Sequence, residues 1–513
     1  MSEILLYYRR PDPITWVYLS SFLTIGLFFV FHRFWSIRNL DIAFLILLSP
    51  GLLMVHEGNR RQLREPAGDV AQERAAADVA RAGTSDGGTS DGGESDGGPS
   101  HQATSDPNQD ASDRVAPTGI PSDGSGVAAD GGPGHGGGDG HGGGDGAETI
   151  QRAGFIWLFA VQACILTRLL LDSLMVRRPL LNPNLTTGGL NFIGISLFIF
   201  MMANVVASNP RIQEEQGPKL GPGYALMNML PAIPTRPVSD ALAGGEPPES
   251  TDLSPSQRRK ATVAKAFAIV AHAAIVVGMV LVGRQHFGNL RAGTGCALLY
   301  LLLPYTAQMT GRVDHAVPAA LLLWAILNYR KPMLAGIFIG LSAGLVYYPL
   351  FLLPLWFSFY WQRGAGRFAI GVTSMLVLLM FLLSAAGTES LVEHLRRMFG
   401  LFLPTWAPAG IWELGWNPIW RLPVIVGFVI LSFFLAAWPG QKNLGTLISC
   451  SGAVMVAAQF WHGYGGGLYI AWFLPLLLLT VFRPNLQDRV ALKVVDGPTR
   501  LATRDVATGL EAA

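Results

Sequence analysis

Charge is what this sequence has least of. Only 14% of its 513 residues are charged, where an ordinary soluble protein carries about 25%. That deficit excludes a fully water-facing surface. Its formal net charge of +2 excludes the basic footprint of a nucleic-acid binder. Cysteine is equally scarce: Cys164, Cys296 and Cys450 each lie inside an apolar run, so no disulfide framework is expected. Isolated buried thiols stay protonated, which argues against a thiolate metal site. The sequence has no Walker-type phosphate loop, no H-E-x-x-H pair and no G-x-S-x-G elbow. An ATP-driven pump or a membrane hydrolase of those kinds is therefore not expected, nor is any cofactor or metal. Short alternating strands are missing too, which excludes a membrane β-barrel.

What the sequence has is apolar length. Half of its residues are hydrophobic, and runs near or above the roughly 18 residues needed to cross a bilayer recur along the chain. Hydrocarbon forces backbone amides to be satisfied within the segment, so helix is the expected spanning form. The expected fold is all-α, a polytopic membrane bundle of about 11–13 transmembrane helices with one long disordered loop. Candidate spans fall at residues 14–31, 41–55, 153–171, 190–207, 262–283, 293–309, 316–329, 333–346, 348–361, 367–385, 422–438, 443–461 and 466–482. Residues 333–361 read equally as one long helix kinked by Pro349 and Pro354. The first run lacks a small-residue cleavage site and is expected to be a retained span.

Composition divides the chain further. Residues 1–56 hold the first two spans, and 57–150 form a Gly/Asp/Ser-rich tract that repeats Ser-Asp-Gly-Gly. That tract has too little apolar content to offset the entropy of ordering and is expected to be disordered. Its His135, Asp139, His141 and Asp145 offer only a loose, unspecific metal contact. Spans three and four occupy 151–207, a Pro-rich polar loop 208–261, the main bundle 262–485 and a tail 486–513. Arg330/Lys331, Arg363/Arg367, Lys442 and Arg483/Arg489 agree on one side if 333–361 forms two segments. This places the C-terminus in the cytoplasm. The same reading puts Arg177/Arg178 inside and leaves Arg258, Arg259 and Lys260 on the far side.

Two places collect polar residues. The link 304–315 crowds Gln308, Arg312, Asp314 and His315 between two apolar helices. Ionisable groups at membrane depth are costly and often mark a site, although a solvated turn with a local ion pair has the same pattern. The loop 387–421 carries Glu393, Arg396 and Arg397 on an amphipathic stretch, then Trp406, Trp412, Glu413, Trp416 and Trp420. The arginines suit lipid phosphates, and the tryptophans suit either a sugar face or an interfacial aromatic belt. Elsewhere, Gly336, Gly340 and Gly344 allow close helix packing or sliding. Arg168 and Asp172, four residues apart, read as a structural pair, and His272 as a hydrogen-bonded packing histidine.

Residues 311–354 are the most informative stretch. They read Gly311-Arg-Val-Asp-His, then Ala319-Ala-Leu-Leu-Leu-Trp-Ala-Ile-Leu-Asn-Tyr-Arg-Lys-Pro-Met-Leu-Ala-Gly, Gly340-Leu-Ser-Ala-Gly-Leu and Tyr348-Pro-Leu-Phe-Leu-Leu-Pro354. In order, this resembles the middle region of the C-type (GT-C) membrane glycosyltransferases, especially the bacterial polyprenol-phosphate-mannose-dependent family. The resemblance implies an integral membrane glycosyltransferase in a bacterial inner membrane that uses a polyprenyl-phosphate-linked sugar donor. It implies catalytic carboxylates, assigned to Asp314 and Glu413, and phosphate partners Arg312, Arg396 and Arg397. Gln308, His315, Trp412 and Trp416 complete the implied substrate contacts. The family's aspartate in a large outer loop has Asp41 and Asp172 as its nearest counterparts. Membrane lipid is the expected partner, and nucleic acid is not. A multi-span transporter or flippase and a non-catalytic membrane scaffold are the competing readings.

Overall fold

The computed structural model describes residues 13–83, 142–175, 181–207, 223–230, 254–362, 364–385, 390–401, 410–414, 416–440 and 442–484. Arg177, Arg178, Arg363, Arg489 and residues 84–141 of the glycine-rich tract lie outside them, as do His135, Asp139 and His141. The chain forms two compact units, one of Met1–Asn59 with Glu148–Ala513 and one of Arg60–Ala147. The described residues contain no β-strand, and the all-α expectation holds.

The helices in chain order are α1 (Pro13–Phe28), α2 (Ile37–Gly83), α3 (Gly142–Leu171), α4 (Thr187–Ala207) and α5 (Pro255–Val282). There follow α6 (Leu290–Leu302), α7 (Pro304–Gln308), α8 (Val313–Leu327), α9 (Pro332–Leu345) and α10 (Leu353–Tyr360). The last are α11 (Ala365–Ala385), α12 (Leu391–Phe399), α13 (Arg421–Ala437), α14 (Leu444–Trp461) and α15 (Leu474–Phe482). Among the described residues, six helical stretches are long and apolar enough to cross a membrane, and six more apolar helices are shorter, at 10–17 residues. Local chemistry sets several of the starts. Ser254 and Gln257 close a capping box with Pro255 at the first helical position, and Asn443 with Thr446 closes another.

Three expectations are corrected. Helix α2 runs on to Gly83, although structure was not expected from residue 57 onward. The reason is visible in Ala71-Gln-Glu-Arg-Ala-Ala-Ala77, all strong helix formers inside a tract whose average was set by the glycines beyond it. Within the loop 208–261, Tyr224 is fully buried, and α5 already begins at Pro255. The last span begins late: residues 462–473 are a loop that ends in a 3-10 turn at Ile470–Trp472, and only Leu474–Phe482 are α-helical.

Residues 333–361 form two segments. Gly336 packs on Phe368 and Val372, Gly340 on Val372 and Met375, and Gly344 on Leu379. The numbers rise together, so α9 and α11 are parallel, and the intervening chain must travel back. It does so through an extended Val346, a 3-10 turn at Tyr348–Leu352 and α10, whose Tyr360 hydroxyl donates to the Tyr329 carbonyl. A Cβ at Gly336 would collide with the Phe368 carbonyl oxygen, and one at Gly371 with that of Met333. The small residues thus serve a close, reciprocal contact.

One end of this unit gathers the basic residues. Arg330 and Lys331 follow α8, and Ser358 and Lys442 both donate to the Ala436 carbonyl (2.6 and 2.9 Å). Arg483 lies against Gly445 and bonds Asp172. Arg168 binds Asp41 through Nε (2.8 Å) and Nη2 (3.0 Å), and Asp172 through Nη1 (3.0 Å). The expected Arg168–Asp172 pair is therefore part of a buried four-residue network linking α2, α3 and the end of α15. Asp41 and Asp172 serve that network.

Candidate functional site

The opposite end holds the polar link. Pro304 opens α7, and the Thr310 hydroxyl donates to the Thr306 and Ala307 carbonyls, closing the turn. Arg312 caps α8, which puts Asp314 in the first helical turn, where the helix dipole favours a carboxylate. Arg312 clasps Asp314 bidentately, Nε to Oδ1 at 2.9 Å and Nη2 to Oδ2 at 2.8 Å, the stronger and more directional form of ion pair. His315 brings Nε2 to 3.4 Å from Asp314 Oδ2, while its Nδ1 meets the Tyr305 hydroxyl at 2.5 Å. The Trp472 indole donates to the Asp314 carbonyl (3.1 Å). Asp314 and His315 are both buried.

The depth of this cluster follows from helix lengths. His272 bonds the Thr310 carbonyl (3.0 Å) and the Tyr300 hydroxyl (2.8 Å), as a packing histidine would. It stands ten residues before Val282, so the polar turn lies about 15 Å from that end of α5, near mid-helix. Helix α8 is 15 residues long and α9 is 14, each about 21–23 Å and short of a 30 Å hydrocarbon core. Short helices therefore give way to irregular backbone before a full crossing is complete.

A second histidine completes the cluster. His462 holds the Tyr348 hydroxyl at Nδ1 (2.8 Å) and the Tyr224 hydroxyl at Nε2 (3.0 Å). A neutral imidazole has one donor and one acceptor, so one tyrosine donates and the other accepts. Burial, reinforced by the positive charge of Arg421, pushes the His462 pKa down to about 3. Tyr469 bridges the two histidines, its ring centroid 4.5 Å from His315 and 4.6 Å from His462. The loop joining His462 to Tyr469 is His-Gly-Tyr-Gly-Gly-Gly-Leu-Tyr. Gly467, at a φ of 92° that other residues rarely adopt, lies against Phe159, and Gly463 lies against the Arg421 guanidinium. Arg421 is 7% exposed and donates Nε–H to the Trp461 carbonyl (2.7 Å). Among the described residues it has no ion pair.

The structure brings Arg312, Asp314 and His315 together. Gln308 ends α7 beside them, half-buried. Trp412 is buried and donates to the Phe460 carbonyl (3.2 Å), while Trp416 is exposed with the Arg152 guanidinium 5.9 Å from its ring centroid. Glu413 is exposed and shares no hydrogen bond or ion pair with Asp314. Arg396 and Arg397 sit half-exposed on α12, each beside Glu393 (4.0 and 3.4 Å). Sequence reasoning missed Tyr224, Tyr348, Arg421, His462 and Tyr469. The glycine run at 463–467 between two apolar stretches was the available signal. No group of three or more metal-ligating side chains occurs among the described residues. No protein-family model, curated protein or solved structure matches the chain.

Proposed function

We propose that this chain spans a membrane and transfers a sugar from a polyprenyl-phosphate donor, with Asp314 as the base. The membrane setting is supported by the apolar helices and by outer faces that expose Phe192, Ile195, Phe381, Ile430 and Phe433. The basic end faces the cytoplasm, carrying the C-terminus with it, and the Asp314 end faces away. Arg258, Arg259 and Lys260 oppose that rule at the start of α5.

The observation that carries the enzymatic reading is the buried Asp314 carboxylate. It is clasped bidentately by Arg312, and Tyr305, His315 and Tyr469 lie around it where the helices give way to irregular backbone. In the proposed reaction, Asp314 takes the proton of an acceptor hydroxyl as its oxygen attacks the anomeric carbon. The bond from that carbon to the lipid phosphate breaks, and the phosphate leaves with the electron pair, stabilised by arginine. A second reading, a transporter, draws on the breaks at Val346–Leu352 and 462–473, since discontinuous helices line transport sites. It predicts substrate flux without covalent turnover. Membranes supplied with radiolabelled polyprenyl-phosphate sugars test the choice: transfer by the wild type, reduced at least 100-fold in Asp314→Asn, supports the enzyme. Absence of transfer with every donor from well-folded protein removes it.

A further inference from the structure

We propose that Arg421 is the anchor of a phosphate site that engages a lipid-borne phosphate at the edge of the bundle. The assignment deepens the reading of the chain as a lipid-phosphate-dependent enzyme and rests on it for the membrane setting.

A buried guanidinium with no carboxylate is expensive, because desolvation is not repaid by a counter-charge. Arg421 is in that state among the described residues. Its Nε is committed to the Trp461 carbonyl, and the rest of the fork is packed flat against Gly463. Nη1 and Nη2 donate to no protein acceptor among the described residues, and two parallel N–H groups match two oxygens of a phosphate. The other arginines of the interior differ: buried Arg168 and Arg483 and half-buried Arg312 each hold a carboxylate. The charge of Arg421 reaches Tyr347, Tyr348 and His462, so an anion there would border the Asp314 cluster.

The surroundings indicate how the anion arrives. Arg421 opens α13 directly after Trp416, Ile419 and Trp420, all exposed, and is followed by exposed Leu422. Tryptophans mixed with aliphatic side chains mark headgroup level, where lipid phosphates lie. Tyr347, held between Gly223 and Gly400, is half-buried and places a second polar group on the same side.

The test is binding by the full chain in neutral phosphatidylcholine nanodiscs, comparing decaprenyl phosphate with the uncharged alcohol decaprenol. The wild type is expected to prefer the phosphate at least tenfold. Arg421→Gln should erase that preference, and Arg421→Lys should keep part of it. If Arg421→Gln fails to fold, Gly463→Ala displaces the guanidinium and should weaken the preference in the same direction. Inorganic phosphate at millimolar concentration should not compete; competition would overturn the lipid as the carrier. Equal binding of phosphate and alcohol by the wild type, or an unchanged preference in Arg421→Gln, would overturn the site. The two proposals fail separately. Lost preference in Arg421→Gln without sugar transfer by any variant leaves the phosphate site and removes the enzyme. Transfer by Arg421→Gln with an unchanged donor KM leaves the enzyme and removes the site.

Discussion

Two buried ionic clusters occupy opposite ends of the same bundle and are built to different standards. At the basic end, two arginines face two aspartates: Arg168 spans Asp41 and Asp172, and Asp172 also receives Arg483. Charge there cancels, and all four side chains are buried. At the other end, among the described residues, Arg312 pairs with Asp314 and Arg421 has no ion pair, with His462 held between two tyrosine hydroxyls. One cluster closes on itself; the other carries a surplus positive charge and ends in side chains with proton-transfer chemistry. Closure marks a structural fastening, whereas an uncompensated charge beside a carboxylate marks a place for a ligand.

The largest effect should come from opening the closed cluster. Asp172→Asn leaves Arg483 without its carboxylate and should cost about 3–5 kcal/mol, read as a lower unfolding midpoint in detergent. A loss below 1 kcal/mol would mean that water already reaches this network. The next largest concerns pH. His462 has a folded pKa of about 3, below the unfolded value of about 6.5. Between those values the unfolded chain binds a proton that the native ring refuses, so stability falls as pH drops. Lowering pH from 7 to 5 should remove about 2 kcal/mol through this residue. His462→Gln should flatten that portion of the pH dependence of unfolding, and an unchanged slope would contradict the buried neutral ring. The smallest effect belongs to α12. Arg397→Gln breaks an exposed pair with Glu393 and should alter stability by at most about 0.5 kcal/mol. A larger change would show that α12 is fastened to the bundle by charge.

The two clusters also differ in how far the sequence disclosed them. Arg168 and Asp172 lie on one helix face, so their pairing follows from spacing, but Asp41 and Arg483 join from distant helices that spacing cannot reach. Arg312, Asp314 and His315 were legible as a polar knot between apolar runs, since their local neighbours create the contact. His462, Tyr348 and Tyr224 were not, because each lies in a different break and tertiary packing alone brings them together. Apolar periodicity found most of the helices but ran through the unwound loop at 462–473, where Leu468, Tyr469, Ile470 and Trp472 have the hydropathy of a span. It also averaged away the helix at 57–83, whose alanine-rich segment is outweighed by neighbouring glycines. Glycine spacing at 336, 340 and 344 announced a close contact; only the packing onto α11 showed that residues 333–361 turn back.

The distinction between the clusters is tested most directly by assaying Asp314→Asn and Asp172→Asn side by side, for sugar transfer from polyprenyl-phosphate donors and for unfolding midpoint. The account predicts a crossed result. Asp314→Asn should lose at least 100-fold in transfer per folded molecule, in addition to the stability lost by stranding Arg312, whereas Asp172→Asn should unfold early while its folded fraction retains transfer. If Asp314→Asn instead keeps full transfer, or if its only defect is the early unfolding predicted for Asp172→Asn, the aromatic end is a second fastening and not a site of chemistry.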